Sequence, residues 1–203
     1  FTSLAPTAAA LVGECTSQNL ANIAWAYAVS NVAVPSLFND DFIQNCLEKE
    51  NEFSIEHKSQ LHQWNLWQEE SQSNIRLPPS LGETCYQAFL STAPTPMQDD
   101  IISELISIGI QAKGETLTKN GYFLDALAEV DGNKIGIEII DSSHSAGGKT
   151  TGSTILKHRQ LANLEEISVV SVPYREWNKL GKDRSRKQQC LRKCFVKLEL
   201  GFN

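Results

Sequence analysis

Positive charge is scarce in the first three quarters of this 203-residue chain. Residues 1–148 carry 6 Lys and Arg against 19 Asp and Glu, whereas residues 149–203 carry 12 against 5. A polyanion would be repelled by the acidic part and attracted by the basic part. The charge distribution therefore predicts that any polyanionic partner contacts the last quarter of the chain.

The chain also lacks a long apolar run and a regular cysteine pattern. No apolar stretch approaches the roughly 20 residues of a membrane-spanning helix, so we expect no membrane span. The five cysteines show neither CxxC spacing nor an even count, which favours buried, reduced thiols and a reducing compartment over a disulfide framework or a metal site. Because the chain starts at Phe1, we expect a fragment, with any targeting peptide upstream.

Helical patterns occupy the first half of the chain. Apolar residues at helical spacing predict helices over residues 17–33, from 37 into the acidic run 48–52, over 55–70 and over 81–90. Residues 1–12 show no clear period. No strand pattern appears before residue 110. Short helices in succession are typical of stacked helical hairpins, so we predict a helical-repeat segment over residues 1–95.

The second half combines helices with strands. A boundary is predicted near Pro94 and Pro96. The patterns that follow predict a helix over 99–108, strands over 110–117, 122–130 and 134–140, a helix over 153–164, a strand over 167–172 and a helix over 184–198. Ser153 is the predicted N-cap of the helix over 153–164. This order argues for an α/β domain over residues 96–203, with helices packed on a sheet.

Asp131-Gly132 separates two short apolar runs and predicts a two-residue hairpin turn. In such a hairpin Val130 faces Asn133, and counting outward places Asp125 opposite Glu138. Side chains paired in this way have Cβ atoms roughly 4.5–5.5 Å apart. Two carboxylates so close repel each other unless a cation, a proton or a basic side chain lies between them.

Four segments of the second half, taken at their order and spacing, resemble the RAP domain, an RNA-binding domain abundant in apicomplexans. They are GYFLDAL, IGIEI with His144 six residues beyond Glu138, TGSTILKHRQL and VPYREWNKL, within residues 97–197. The upstream segments NLANIAWAYAV and LHQWNLW are similar to the helical repeats that precede this domain in FAST-kinase-like and octotricopeptide-repeat proteins. The resemblance therefore covers most of the chain.

The resemblance implies both a fold and a function. The implied fold is a helical-repeat segment followed by a restriction-endonuclease-like α/β/α domain of the PD-(D/E)XK type. The implied function is RNA binding in a mitochondrion or plastid, for RNA processing, RNA stability or ribosome biogenesis. The RNA partner would be a single-stranded or structured organelle transcript or ribosomal RNA. A third possible function is a protein-interaction module in a ribosomal assembly, with its contacts on residues 1–95.

The nuclease-like fold implies an enzyme alternative, a divergent metal-dependent endoribonuclease. Asp125 and Glu138 match its two metal-binding carboxylates, and Glu104 is a candidate third. Ile140 stands where such nucleases carry a catalytic lysine, and isoleucine cannot activate water. Lys157 would have to replace that lysine from its helix; the other interpretation is that the carboxylates only keep a salt bridge with Lys157. RNA binding requires no cofactor, whereas cleavage would require Mg²⁺ or Mn²⁺.

The candidate RNA-binding residues lie in the basic last quarter. Lysines and arginines there would neutralise phosphates, and aromatic rings would stack on unpaired bases, which contributes roughly 1–3 kcal/mol per base. The set comprises Lys149, Lys157, Arg159, Tyr174, Arg175, Lys179, Lys182, Arg184, Arg186 and Lys187, with Trp177 as a second aromatic candidate. The alternative is that Trp177 belongs to the core and that residues 182–187 form a solvated helix face.

Overall fold

The structure is a computed structural model that describes residues 1–91, 99–140, 145–146 and 149–196. The chain divides into two compact units, Phe1–Ala93 and Pro94–Asn203, called here the first unit and the second unit. The first is helical, and the second combines helices with a four-stranded mixed sheet, so the fold class is mixed α/β. Among the described residues, no helix is long and apolar enough to cross a membrane.

The first unit contains α1 (Ala5–Ala10), α2 (Ser17–Ser30), α3 (Asp40–Glu48), α4 (Ile55–Glu70) and α5 (Pro79–Leu90). Helix α4 has the predicted bounds, because the Ser54 hydroxyl accepts a hydrogen bond from the His57 backbone N–H at 3.2 Å and caps its first turn. The segment without a clear period forms α1, where Pro6 in the first turn and a run of alanines favour a helix.

Helix α4 packs against both α2 and α5 and supplies the aromatic centre of the first unit. Trp64 and Trp67 are fully buried, with ring centroids 5.4 and 5.9 Å from that of Phe38. The indole N–H of Trp67 donates to Asn31 at 2.9 Å, which joins α4 to the end of α2. Aromatic burial and a few side-chain hydrogen bonds therefore hold these helices together.

The second unit begins with α6 (Asp99–Ser107) and β1 (Ala112–Leu117), followed by β2 (Phe123–Val130) and β3 (Asn133–Ile140). Two short strands come next, β4 (Ser145–Ala146) and β5 (Lys149–Thr150). The chain continues with α7 (Gly152–Glu165), β6 (Ile167–Pro173), α8 (Tyr174–Lys179) and α9 (Arg184–Val196). The main sheet has the order β1-β2-β3-β6, with β3 and β6 parallel and the other pairs antiparallel.

The two faces of this sheet meet different helices. On one face, Ile137 and Val172 share a buried core with Trp177 of α8 and with Leu191 and Phe195 of α9. Successive residues of a strand point to opposite faces, so Glu138 points away from that core and toward α7. The core position of Trp177 confirms the core interpretation of this residue.

The hairpin between β2 and β3 has the predicted turn. Asp131 and Gly132 have φ angles of 51° and 78°, as a two-residue turn of this type requires, and Val130 pairs with Asn133. Pairing continues in register to Ala126 and Ile137. The predicted register is therefore confirmed from Val130 and Asn133 to Ala126 and Ile137. The paired residues end there, one step before Asp125 and Glu138, and the Asp125 carboxylate accepts from the Ile139 backbone N–H.

The predicted cap of α7 was wrong. Thr151, not Ser153, is the N-cap, and its hydroxyl accepts a hydrogen bond from the Thr154 backbone N–H at 3.4 Å. An N-cap residue needs an extended backbone, which Thr151 has with ψ of 157°, whereas Ser153 already lies inside the helix. The short helix α8 was not predicted and follows directly after Pro173.

Candidate functional site

Glu138 is the centre of a mostly buried charge cluster between β3 and α7. Its side chain is 10% exposed, and two neighbouring residues of α7 contact it. The Lys157 ammonium contacts the Oε1 atom, and His158 Nε2 lies 3.1 Å from the Oε2 atom. A carboxylate only accepts hydrogen bonds, so Nε2 carries the proton and donates it. Both oxygens of Glu138 are therefore engaged by side chains of the protein.

Lys157 joins this cluster to the neighbouring strand. Its ammonium also donates to the backbone carbonyl of Phe123 at 2.6 Å and lies 5.8 Å from the centre of the Tyr122 ring. The predicted direction of Lys157, back toward the carboxylates, is confirmed by its contact with Glu138. A salt bridge with Lys157 is therefore present at Glu138, and the catalytic role of these residues stays a prediction.

The two carboxylates have opposite pKa shifts. Burial raises the pKa of Glu138, but the hydrogen bond from His158 and the charge of Lys157 outweigh it and hold that pKa below its ordinary value. Burial raises the pKa of Asp125, and the nearby charge of Glu138 raises it further. The Ile139 backbone N–H, which donates to Asp125 Oδ2 at 2.7 Å, and the charge of Lys157 only partly offset this rise.

The arrangement does not fit a divalent metal ion. Mg²⁺ needs free carboxylate oxygens, whereas Lys157 and His158 engage both oxygens of Glu138. No group of three or more His, Cys, Asp or Glu side chains with metal-binding geometry occurs among the described residues. Glu104, the candidate third carboxylate, contacts Arg184 of α9 instead. Binding of a metal by Asp125 and Glu138 stays a prediction and would require Lys157 to move away.

Two of the candidate RNA-binding cations are fixed to α6. Arg184 donates to the Glu104 carboxylate at 2.8 Å, and Lys187 donates to the Asp100 carboxylate at 2.6 Å. The Lys187 ammonium also lies 4.9 Å from the centre of the Trp177 ring, whose indole N–H donates to Asp100 at 3.1 Å. Trp177 is 0% exposed, so it is not available for stacking on a base.

The other candidate residues have different environments. Lys157 is held by Glu138. Arg159 and Tyr174 are both half-buried. The Lys149 side chain lies outside the described part of the structure. The exposed candidates are Arg175, Lys179, Lys182, Arg186 and Arg184, the last paired with Glu104. The side chain of Arg186 is 74% exposed and contacts Asp183 at 3.4 Å. The residues accessible to a phosphate therefore lie on α8, on α9 and in the turn between them.

Sequence reasoning missed three residues. The first is His158, which contacts Glu138 although the two residues are twenty positions apart in sequence. Helical spacing could have predicted its direction, because Thr154 and Leu161, four residues before it and three after it, are buried. Arg192 and Lys193 of α9 are exposed and were left out of the RNA-binding set.

Residues 137–194 match the family model of the RAP domain. The matched segment runs from the middle of β3 to the last turns of α9, and so includes Glu138, Lys157, His158 and the exposed basic residues. No curated protein matches the chain.

Proposed function

We propose that this chain, a RAP-domain protein, is an RNA-binding protein whose second unit contacts the RNA. The observation that carries the proposal is the match over residues 137–194, because RAP domains are generally associated with RNA binding. Two features of the chain support it. Residues 149–203 are the basic part of an otherwise acidic protein, and cations of α8 and α9 are exposed.

We further propose a setting and a fold relationship for this activity. The setting is RNA processing, RNA stability or ribosome biogenesis in a mitochondrion or plastid, supported by the resemblance of the first unit to the repeats of organelle RNA-binding proteins. The fold relationship is to restriction endonucleases of the PD-(D/E)XK type. It is supported by the mixed sheet, by α7 between the parallel strands β3 and β6, and by acidic residues on β2 and β3.

The metal-dependent endoribonuclease is the second candidate. The observation that favours it is the position of Asp125 and Glu138 on neighbouring strands, where burial raises the pKa of Asp125 and the charge of Glu138 raises it further. Two observations speak against it: Ile140 replaces the catalytic lysine of such nucleases, and Lys157 supplies the positive charge beside Glu138. We therefore rank it below RNA binding without cleavage.

The experiment is a gel-shift assay of the full chain with labelled single-stranded and structured RNA, with and without Mg²⁺ or Mn²⁺. We expect a retarded complex in all lanes and no shortened RNA in any lane. Cleavage that requires the metal and is lost in both Glu138→Gln and Lys157→Met would make the protein an enzyme. Absence of a complex, together with tight association with a ribosomal protein, would favour the protein-interaction module.

A further inference from the structure

We infer that the outer face of α9, formed by Arg186, Arg192 and Lys193, binds the phosphate backbone of RNA through charge and without base stacking. This inference rests on the proposed function, RNA binding, and specifies that the protein recognises the phosphate backbone of the RNA. A duplex presents its phosphates as well as a single strand does. A protein that binds RNA through this face should therefore bind both forms.

The helix itself separates these cations from the core. Leu191 and Phe195 are 0% exposed and point into the second unit. At 3.6 residues per turn, Arg186 and Lys193 lie seven residues apart on nearly the same line of the helix, at a rise of about 10 Å. Arg192, one residue before Lys193, lies about 100° around the helix from it. All three residues are exposed. The face therefore presents positive charge over two turns of helix.

The charges of this face are available to a ligand. Arg192 and Lys193 have no ionic partner among the residues that the structure describes. Arg186 contacts Asp183, but both side chains are largely exposed, at 74% and 46%, and a surface pair of this kind contributes little. Arg184 and Lys187 of the same helix are paired with carboxylates of α6: Arg184, whose side chain is 62% exposed, with Glu104, and Lys187, whose side chain is 12% exposed, with Asp100. Among the cations of α9, the outer three can therefore bind phosphates without giving up a contact to a carboxylate of α6.

The same part of the molecule offers no platform for bases. Trp177 and Phe195, the aromatic residues of α8 and α9 nearest to these cations in sequence, are 0% exposed, and Tyr174 is half-buried. In the described part of the second unit no aromatic side chain is exposed. Proteins that bind single strands use exposed rings for stacking, and this gives them a preference for unpaired bases. Without such rings, the face has no means of preferring single-stranded RNA.

The test compares two triple variants with the same change in charge. The first, Arg186→Gln, Arg192→Gln and Lys193→Gln, removes the outer face of α9. The second replaces Lys113, Lys119 and Lys134 by Gln; these lysines are exposed in the same unit, on β1, on β3 and between β1 and β2. Circular dichroism and thermal unfolding check that both variants keep the fold of the full chain.

The affinities are measured for a duplex and a single strand with equal numbers of phosphates, under the same salt conditions. We expect roughly tenfold weaker binding of both RNAs by the α9 variant and a change below about threefold in the lysine control. We also expect the wild type to bind the duplex at least as tightly as the single strand. Equal losses in the two variants, or a clear preference for the single strand, would overturn the inference while leaving RNA binding intact. If the wild type bound neither RNA, the proposed function would fail as well.

Discussion

Lys157 of α7 contacts the buried carboxylate of Glu138 on β3, and its ammonium donates to the Phe123 carbonyl on β2 at 2.6 Å. One lysine thus supplies positive charge to two strands whose acidic side chains repel each other. In a PD-(D/E)XK nuclease, the fold relative that we propose, a metal ion would carry that charge. Here the protein's own ammonium carries it, which makes the cluster a stabilising feature of the fold.

Replacing Lys157 by Met should lower the free energy of unfolding by about 3 kcal/mol, because removal of one partner leaves a buried charge uncompensated. Chemical denaturation of the full chain measures this change. The double variant Lys157→Met with Glu138→Gln is the matched control, and it should recover part of the loss because no uncompensated charge remains. A single variant as stable as the wild type would show that the contact does not stabilise the fold.

The stability that Glu138 contributes should depend on pH. Its pKa is lowered in the folded protein from an ordinary value of 4.5, so its contribution is complete above that value. The contribution should decrease as the pH falls below about 4.5 and vanish below the lowered pKa. The difference in free energy of unfolding between wild type and Glu138→Gln, measured from neutral to acidic pH, should therefore shrink in this acidic range. A constant difference would contradict the lowered pKa.

The contribution of Asp125 to the free energy of unfolding should depend on pH with the opposite sign. Burial raises its pKa, so the folded protein binds the proton more tightly than the unfolded chain does. The ionised carboxylate consequently opposes folding at neutral pH, and the penalty disappears in acid. Asp125→Asn keeps an oxygen that can accept from the Ile139 N–H, and it should raise the free energy of unfolding at neutral pH but not in acid. A loss of stability at neutral pH would show that the negative charge itself is needed.

Asp100 should matter more than an exposed carboxylate of the same unit. It accepts hydrogen bonds from Lys187 and from the buried indole of Trp177. Asp100→Ala leaves that buried donor without its acceptor, so we expect a loss of about 1–3 kcal/mol in unfolding free energy. Glu176→Ala, at an exposed position of α8, is the control and should change stability by less than about 0.5 kcal/mol. Equal losses of stability in the two variants would show that the hydrogen bonds of Asp100 do not stabilise the fold.

The hairpin turn provides a test of the backbone. Gly132 has a φ of 78°, which an alanine side chain disfavours, so Gly132→Ala should destabilise the protein by roughly 1 kcal/mol. Gly13 has no positive φ, and a Cβ added there meets no atom within 4 Å. Gly13→Ala should therefore leave the thermal midpoint unchanged or slightly raised. A midpoint that falls equally in both variants would contradict the turn geometry.

Local signals explain what could be predicted from sequence. Asp131 and Gly132 form a two-residue turn because both adopt positive φ angles. A turn of this length sets the register of β2 against β3, and that register brings Asp125 toward Glu138. The spacing of apolar residues likewise placed α4 and directed Lys157 toward the sheet. Both signals act over a few residues of chain.

The contacts that escaped prediction join residues far apart in sequence. The Asp100–Lys187 and Glu104–Arg184 pairs span 87 and 80 residues, and they arise only because the sheet brings α6 beside α9. Read locally, Arg184 and Lys187 are indistinguishable from Arg186, since all three lie in one basic run. Pairing with the carboxylates of α6 separates Arg184 and Lys187 from Arg186, and that pairing is not encoded in the run itself.

The most direct test of the central claim is the salt dependence of RNA affinity for the full chain. The dissociation constant for a labelled RNA would be measured between about 50 and about 200 mM salt, the range over which counter-ion release has a strong effect. If the three outer cations of α9 contact phosphates, the logarithm of the affinity should fall linearly with the logarithm of salt, with a slope of about −2 to −3. Absence of binding at the lowest salt, or an affinity independent of salt, would contradict RNA binding by this basic surface.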